Sequence, residues 1–237
     1  SMELNGACAL VTGASRGIGR AIALTLGEAG ADVALTARNE SELKELAGRI
    51  QGMGRRAPVF PADLLRPGDV RALAEAVEGE FSRVDILINN AGAVILRPTV
   101  ELSEKEFEEM IELNLTSVFR LTRLLLPGML QRRCGHIVMI ASTAALRGFA
   151  GGAAYAAAKF GLNGFAQSLF YETRSSNVRV TTIYPSSVNT DMTRQSRLVE
   201  HEERLIQPVD IARAVVAALQ ADDRATLKEI EVWGTNP

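Results

Sequence analysis

The sequence predicts an α/β fold in which a parallel sheet of seven strands is covered by helices on both faces. Short apolar runs recur along the chain, segments with helical spacing separate them, and aromatic residues are too few, at 5%, to fill a β-sandwich or barrel. The 237 residues, 47% of them apolar, can bury a sizeable core. At roughly 150 residues per average domain, we expect a single domain over residues 1–237.

Each predicted strand is a short apolar run of the kind that is buried on both faces of a sheet. In chain order the runs are Ala7–Val11, Val33–Ala37, Ala57–Phe60, Ile86–Ile88, Ile137–Ile140, Val178–Ile183 and Ile230–Trp233. Between them, apolar residues recur at helical spacing, as in Val70, Leu73 and Val77. Because strands and helices alternate, the connections are βαβ units with right-handed crossovers.

The segment 190–208 has no strand pattern and is dense in charged residues. A segment of this kind is either a solvated helix or loop, or a mobile flap over a site at the sheet edge. We expect a short substrate flap at about 190–208.

Charge and cysteine content bear on partners and location. The net charge of −2 argues against nucleic acid binding, and no apolar run reaches the roughly 18 residues of a membrane span. Cys8 and Cys134 are far apart in a large chain and predict free thiols, so we expect a cytoplasmic protein. The chain has two histidines, His136 and His201, and neither lies in a cluster with the spacing of metal ligands. No metal is therefore expected.

A glycine-rich turn follows the first predicted strand. Gly13, Gly17 and Gly19 stand between that strand and a helix predicted to begin at Arg20. Without Cβ atoms, such a turn lets backbone N–H groups and the positive end of a helix approach a diphosphate. An ordinary tight turn is the alternative, but the position in an alternating α/β chain favours a dinucleotide. The Gly-Lys-Ser/Thr of a phosphate loop is missing, which disfavours ATP hydrolysis.

The end of the second strand indicates which dinucleotide is bound. An acidic residue there bonds the adenosine ribose of NAD, whereas an arginine pairs with the 2′-phosphate of NADP. This chain has no acid at that strand end and carries Arg38 just beyond it. Arg16, inside the glycine turn, provides a second guanidinium for the same phosphate. The sequence therefore predicts NADP(H) as cofactor.

Tyr155 and Lys159 are four residues apart among strong helix formers, so their side chains project from one helix face. An ammonium beside a phenol lowers the phenol pKa, which we expect to make Tyr155 a proton donor and acceptor nearer neutral pH. Ser142 follows the Ile137–Ile140 run, at the edge where open α/β sheets place their sites. Its hydroxyl is suited to hold a substrate carbonyl or hydroxyl oxygen. Each residue alone is commonplace on a helix or after a strand.

Together these features resemble the short-chain dehydrogenase/reductase family over essentially the whole chain. The matching residues are Thr12–Gly19, Asn89–Gly92, Asn114, Ser142, Tyr155 and Lys159. The resemblance implies a doubly wound Rossmann-type sheet, a nicotinamide cofactor, and a catalytic tetrad of the last four residues. In that tetrad, Tyr155 exchanges a proton with the substrate oxygen and Ser142 orients that oxygen. Lys159 binds the nicotinamide ribose, and Asn114 holds a water that links Lys159 to solvent.

The glycine turn, Arg38 and the resemblance together define the expected cofactor contacts. They are Gly13, Ser15, Arg16, Gly17, Ile18, Gly19, Arg38, Asp63, Leu64, Asn90, Ala91, Gly92, Tyr155, Lys159, Pro185, Ser186, Val188 and Thr190. By resemblance, Asp63 and Leu64 border the adenine, and Pro185, Val188 and Thr190 border the nicotinamide carboxamide. Ser186 stands where the family usually has glycine.

The substrate is expected to contact Ser142, Phe149, Tyr155 and Met192, in a modest and partly apolar pocket bounded by small residues before Tyr155. The function indicated is an NADP(H)-dependent oxidoreductase that moves a hydride between the nicotinamide and a carbonyl or secondary alcohol.

In the family the helices corresponding to 107–126 and 155–171 pair across a twofold axis, which implies a homodimer or homotetramer.

Three alternatives stay open. Thr190–Thr193 is typical of the 3-oxoacyl-acyl-carrier-protein reductases, but the C-terminus lacks their Gly-Gly-containing strand and is closer to that of carbonyl and hydroxy-acid reductases. A non-catalytic nucleotide-binding redox sensor would keep the fold, yet the presence of Tyr155 and Lys159 favours an enzyme. A sugar epimerase or dehydratase of the same superfamily would be longer and carry a substrate domain.

Overall fold

A computed structural model of the protein describes residues 2–196 and 205–235. Within them, six strands form one parallel sheet in the order β2-β1-β3-β4-β5-β6. The strands are β1 Cys8–Thr12, β2 Asp32–Thr36, β3 Ile86–Asn89, β4 Gly135–Ile140, β5 Val178–Pro185 and β6 Glu229–Val232. The predicted parallel, helix-covered sheet is confirmed, with one strand fewer than expected.

Helices connect the strands in the predicted alternation. They are α1 Gly17–Glu28, α2 Glu40–Gln51, α3 Pro67–Phe81, α4 Glu104–Ile111, α5 Ser117–Arg132, α6 Ala153–Thr173, α7 Asp191–Ser196 and α8 Pro208–Leu219. A π-helical segment, Glu112–Thr116, joins α4 to α5, and two short 3₁₀ segments, Thr143–Ala145 and Arg174–Ser176, flank α6. None of the helices in the described part of the chain is long and apolar enough to span a membrane.

The strand predicted at Ala57–Phe60 is wrong, and a proline explains the difference. The segment does run beside β2, where the N–H of Leu35 donates to the carbonyl of Pro58 (2.9 Å) and the N–H of Phe60 donates to the carbonyl of Leu35 (2.9 Å). Pro58 has no N–H to continue this ladder in the other direction. Only a single bridge, between Leu35 and Val59, therefore forms.

Two apolar layers cover the sheet, one on each face. Because side chains alternate along a strand, Ala9 and Val11 of β1 enter one layer and Leu10 enters the other. The first layer packs β1 and β2 against α1, α2 and α8, and the second packs the sheet against α3, α5 and α6. The doubly wound arrangement leaves the carboxyl ends of the strands open along one edge.

The chain reverses its direction of sheet growth at β1, since β2 lies on one side of β1 and β3 on the other. Open α/β sheets bind ligands in the crevice at such a point. Here the crevice is fixed by Thr12, whose hydroxyl accepts hydrogen bonds from the N–H groups of Asn90 (3.0 Å) and Ala91 (2.9 Å). The Asn90 amide in turn donates to the carbonyls of Thr12 (3.0 Å) and Gly13 (3.2 Å). The ends of β1 and β3 are thereby held together.

Of the expected flap at 190–208, the structure describes α7 and the residues from 205 onward. Residues 197–204 lie outside the described residues. Near the end of the expected flap, Ile206 forms a bridge with Val188. The described ends of the flap therefore both lie at the carboxyl edge of the sheet. The flap, and the single-domain organisation over 1–237, stay predictions.

Candidate active site

A cavity of about 790 Å³ lies at the carboxyl edge of the sheet, where the crevice is expected. Its size is within the range of ligand pockets, which span roughly 300–1,000 Å³. All but one of the residues predicted to bind cofactor or substrate line it, and the exception is Gly19. Residues that are far apart in the sequence therefore face one common space.

The glycine turn lines the cavity at the end of β1, between the residues that follow β2 and those that follow β3. Gly13 and Gly17 have positive φ angles, +63° and +56°, which residues with a side chain rarely adopt. A Cβ on Gly13 would also lie 2.9 Å from the Cα of Ala91. The helix α1 begins at Gly17. Its unpaired N–H groups and its positive dipole end therefore point towards the part of the cavity that the glycine turn lines.

Gly19 lies behind the turn rather than on the cavity wall. It is buried in the first turn of α1, and a Cβ there would collide with the carbonyl oxygen of Gly13. Gly19 thus allows the helix to pack closely against the turn. Gly19 thereby shapes the turn, and its expected contact with the cofactor stays a prediction.

The cavity wall beyond β2 contains Thr36, Ala37 and Arg38, with no acidic residue at the strand end. Arg38 is exposed on this wall. The hydroxyl of Thr36 is fully buried and has no hydrogen-bond partner among the described residues. The other predicted cation, Arg16, also lines the cavity, and its guanidinium lies 3.9 Å from the Asp191 carboxylate of α7. This pairing between the glycine turn and the start of the expected flap was not anticipated from the sequence.

The predicted acid–base residues meet in the part of the cavity that lies beyond the end of β4. Ser142 follows β4 and accepts a hydrogen bond from the N–H of Ala144 (3.1 Å), which fixes the start of the 3₁₀ turn. Tyr155 and Lys159 lie one turn apart on α6, with the Lys159 Nζ 5.7 Å from the centre of the Tyr155 ring. Lys159 Nζ also donates to the carbonyl of Ile140 (3.2 Å), the last residue of β4.

Burial dominates the pKa values of this pair. Burial raises the pKa of Tyr155, and a hydrogen bond with Ser142 opposes the rise without reversing it. Burial lowers the pKa of Lys159 from 10.5 to about 8. The expected lowering of the Tyr155 pKa is therefore wrong, because loss of water around the phenol raises the pKa by more than the Ser142 hydrogen bond lowers it. Tyr155 is held in its protonated form.

Asn114 reaches the same wall from the π-helical segment between α4 and α5. Its Nδ2 donates to the carbonyls of Ala93 (3.1 Å) and Met110 (3.1 Å). Its Oδ1 is buried and has no partner in the described part of the chain. A Cβ on Gly92 would lie 2.6 Å from this oxygen and 3.8 Å from the Lys159 Nζ. The bare Gly92 backbone thus leaves room beside an acceptor and an ammonium, which suits a bound water.

The substrate side of the cavity is lined by Phe149 and Met192, as predicted. Both are about two-fifths exposed, at 40% and 37%. The Phe149 ring lies against Gly152, where a Cβ would meet the ring at 2.5 Å. The glycine therefore sets the position of Phe149 at the mouth of the pocket.

Three residues with a place in the site were not assigned to it from the sequence. Thr12 ties the two strand ends together, Thr36 offers an unpaired hydroxyl, and Arg147 lines the cavity on the substrate side. Thr12 lies inside the matched glycine motif, so its position was a signal that could have been used. Arg147 belongs to the segment before Tyr155 that was expected to line the substrate space, but its neighbours in the sequence do not reveal what its charge packs against.

No group of three or more His, Cys, Asp and Glu residues comes together within residues 2–196 and 205–235. The expectation that no metal is bound stays a prediction.

Comparisons with known proteins agree with this geometry. The model of the short chain dehydrogenase family matches residues 7–201. The 3-oxoacyl-acyl-carrier-protein reductase FabG of Salmonella typhimurium is 42% identical over 193 residues, which cover 81% of this chain and 78% of that protein. The enzyme of the same name from Pseudomonas aeruginosa is 37% identical over 232 residues, 94% of each chain.

Solved structures show the same likeness in three dimensions. A metagenomic short-chain oxidoreductase in complex with NADP is 35% identical, covers 100% of both chains and superposes with a TM-score of 0.87. A variant of the actinorhodin polyketide ketoreductase with NADPH is 32% identical and covers 99% of this chain and 98% of that one, with a TM-score of 0.90.

Proposed function

This chain belongs to the short chain dehydrogenase family, and from that premise we propose that it transfers a hydride between NADP(H) and a carbonyl or secondary alcohol substrate. The observation that carries the proposal is the meeting of Ser142, Tyr155 and Lys159 in the same cavity as the glycine turn. A nucleotide site and an acid–base group share one space. The binding-only redox sensor is disfavoured by the same observation.

The residues at the cavity fit a dinucleotide. Gly13 and Gly17 provide a turn with positive φ angles at a helix N-terminus, which is suited to a diphosphate. Lys159 lines the same cavity beside the narrow space at Gly92 and would bond the nicotinamide ribose. When bound, the nicotinamide supplies or accepts the hydride, and the chain supplies orientation and proton transfer.

In the direction of reduction, Tyr155 donates its phenolic proton to the substrate oxygen as the carbonyl carbon receives the hydride. Burial favours this role, since the raised pKa keeps the phenol protonated until the oxygen becomes basic. Ser142 holds the same oxygen by a hydrogen bond and thereby orients the carbonyl. The Lys159 charge stabilises the tyrosinate that results, and a water at the Asn114 Oδ1 returns the proton from solvent.

NADP(H) is proposed over NAD(H) because of the charges beyond β2. Arg38 lines the cavity where no acid stands at the strand end, and Arg16 lines it from the glycine turn. Two similar structures were solved with NADP or NADPH, which supports the same choice. The ion pair of Arg16 with Asp191, at 3.9 Å and exposed, is weak enough to yield to a phosphate.

A second candidate is the reduction of 3-oxoacyl thioesters. It is favoured by relatives of that name at 42% and 37% identity. To decide between the two, purified protein is given NADPH and then NADH with an acetoacetyl thioester, small diketones and hydroxy acids. Preference for the thioester supports the second candidate. Absence of any cofactor oxidation or reduction across the panel would contradict both.

We also propose a homodimer or homotetramer. Four aromatic side chains on α4, α5 and α6 are exposed, Phe107 at 40%, Phe119 at 45%, Phe160 at 46% and Tyr171 at 64%. Exposed apolar side chains that cluster on neighbouring elements are typical of protein interfaces. Light scattering that gives the monomer mass of 25.5 kDa would contradict the assembly.

A cytoplasmic location is proposed on the cysteines. Both Cys8 and Cys134 are free thiols, and Cys134 is exposed. A reducing compartment preserves an exposed thiol, whereas an oxidising one exposes it to disulfide formation. Fractionation that recovers the protein with periplasmic or secreted markers would contradict this location.

A further inference from the structure

Arg147 brings a positive charge to the substrate side of the cavity. It lies just beyond the 3₁₀ turn that begins after Ser142, and it lines the same cavity as Ser142, Tyr155 and Phe149. The glycine turn and Arg38, which are proposed to bind the cofactor phosphates, belong to the ends of β1 and β2 instead. A cation on the substrate side therefore needs an explanation of its own.

The Arg147 guanidinium is stacked on the indole ring of Trp233. Its central carbon lies 5.0 Å from the ring centroid, within the range of a cation–π contact. The indole N–H donates to the Glu231 carboxylate at 2.8 Å, which fixes the ring in turn. Stacking uses the face of the guanidinium and leaves its N–H donors, at the edge, available for another partner.

The C-terminal strand brings the tryptophan to this place. In β6, Ile230 and Val232 pack against the core layer on one face, so Glu231 and, by the same alternation, Trp233 lie on the other. β6 pairs in parallel with β5, which places Trp233 at the carboxyl edge of the sheet. Arg147 and Trp233 are more than 80 residues apart in the sequence, and the pairing of β5 with β6 brings them together as a stacked pair.

The N–H donors of Arg147 are not neutralised by the protein where the chain is described. No Asp or Glu carboxylate of residues 2–196 and 205–235 forms an ion pair with it, whereas the nearby Arg97 pairs with Glu106 at 2.8 Å. The Glu231 carboxylate is engaged by the indole N–H. A guanidinium that is oriented, exposed to a cavity and unpaired is suited to bind a planar or tetrahedral oxyanion in bidentate fashion.

We infer that Arg147 is a specificity-determining residue that binds an anionic group of the carbonyl substrate, a carboxylate or a phosphate, with Trp233 as its positioning residue. The inference rests on the proposed oxidoreductase function and narrows it to substrates that carry a negative charge away from the reacting carbonyl. Two kinds of substrate carry such an anionic group. A short oxo acid has a carboxylate, and an acyl thioester has phosphate in the long group attached to its sulfur.

Paired substrates that share the reacting carbonyl, one anionic and one neutral, test the inference. Acetoacetate is compared with its neutral ethyl ester, and acetoacetyl-coenzyme A with the neutral acetoacetyl thioester of N-acetylcysteamine. Arg147→Gln should lower kcat/KM for the anionic member of a pair by about 10- to 100-fold, the value of one charged hydrogen-bonding partner. The neutral members should be unaffected. If kcat/KM falls with acetoacetate alone, the group bound by Arg147 is a carboxylate. If kcat/KM falls with the coenzyme A thioester alone, the group is a phosphate.

Two further variants control this experiment. Arg71→Gln removes an exposed arginine of α3 that does not line the cavity, and it should leave all four substrates unchanged. Trp233→Phe keeps an aromatic face under the guanidinium and should retain the preference for anions, whereas Trp233→Ala should reduce it. An equal effect of Arg147→Gln on charged and neutral substrates would overturn the inference.

Binding is also measurable without turnover, because Trp233 is the single tryptophan of the chain. Acetoacetate or coenzyme A, added without cofactor, should change the Trp233 fluorescence in the wild type and not in Arg147→Gln. If the neutral ester is reduced but neither anion is preferred and the fluorescence is unchanged, the inference fails while the proposed function stands. If anions bind but nothing is reduced with either cofactor, the proposed function fails.

Discussion

The ammonium of Lys159 lies 5.7 Å from the centre of the Tyr155 ring and is anchored by a 3.2 Å hydrogen bond to the carbonyl of Ile140. The helix α6 supplies the spacing of the two side chains, and the end of β4 supplies the anchor. A cation is therefore held beside a half-buried phenol by two different elements of the fold.

Tyr155→Phe should lower kcat by about 10²- to 10⁴-fold, because it removes the proton donor and keeps the ring. Cofactor affinity, measured by calorimetric titration with NADPH, should be nearly unchanged. Undiminished turnover in this variant would show that Tyr155 is not the acid.

Lys159→Met should abolish most activity and yet stabilise the fold. Burial lowers the Lys159 pKa from 10.5 to about 8, so the folded chain carries an unfavourable buried charge at every pH below about 8. Removing that charge should raise the free energy of unfolding by about 1–3 kcal/mol at pH 7, after allowance for the lost hydrogen bond to Ile140.

The sign of the pH dependence follows from proton linkage. Between pH 8 and 10.5 the unfolded chain binds more protons at Lys159 than the folded chain, so the stability of the wild type rises with pH there. The difference in free energy of unfolding between Lys159→Met and the wild type, measured by urea unfolding, should shrink over the same range. An advantage that is constant with pH would contradict the assigned pKa.

Arg38→Asp should weaken NADPH binding by about 10- to 100-fold and NADH binding much less, since the substitution replaces a partner of the 2′-phosphate with a like charge. The dissociation constants are measured by titration of both cofactors. Lys44→Asp, also an exposed charge reversal after β2 but outside the cavity wall, should change neither. Equal losses for both cofactors with Arg38→Asp would mean that Arg38 is only a surface charge.

Gly92→Ala should lower kcat by about 10²-fold, because its Cβ would lie 2.6 Å from the Asn114 Oδ1 and displace it from Lys159. Gly79→Ala is the matched control, since a Cβ at this position in α3 meets nothing within 4 Å. It should leave kcat unchanged and raise the free energy of unfolding by about 0.5–1 kcal/mol. Equal activities of the two variants would contradict the role given to the space at Gly92.

His136 should make the fold sensitive to acid. It is fully buried on β4, its Nε2 lies 2.8 Å from the Thr181 hydroxyl, and burial lowers its pKa from 6.5 to about 3. Between these values the unfolded chain binds the extra proton, so stability should fall on acidification by about 1.4 kcal/mol per pH unit from this group. In unfolding experiments His136→Gln should flatten that slope, and an unchanged slope in this variant would contradict the lowered pKa of His136.

The sequence by itself determined the fold class and most of the site. Alternating apolar runs and helical segments require a covered parallel sheet, and the carboxyl ends of its strands meet at one edge, so residues following the strands had to converge. The spacing of Tyr155 and Lys159 on a helix fixed their common face. These features depend on local periodicity and short-range geometry, which a single sequence records.

The tertiary structure decided what depends on partners distant in the chain. The lack of an N–H at Pro58 mattered only because that segment runs beside β2, where it limits pairing to a single bridge. The pKa of Tyr155 rises because of burial, which no local pattern measures and which outweighs the opposing hydrogen bond with Ser142. The stacking of Arg147 on Trp233 likewise exists only because β6 pairs with β5 and carries the tryptophan to the cavity edge.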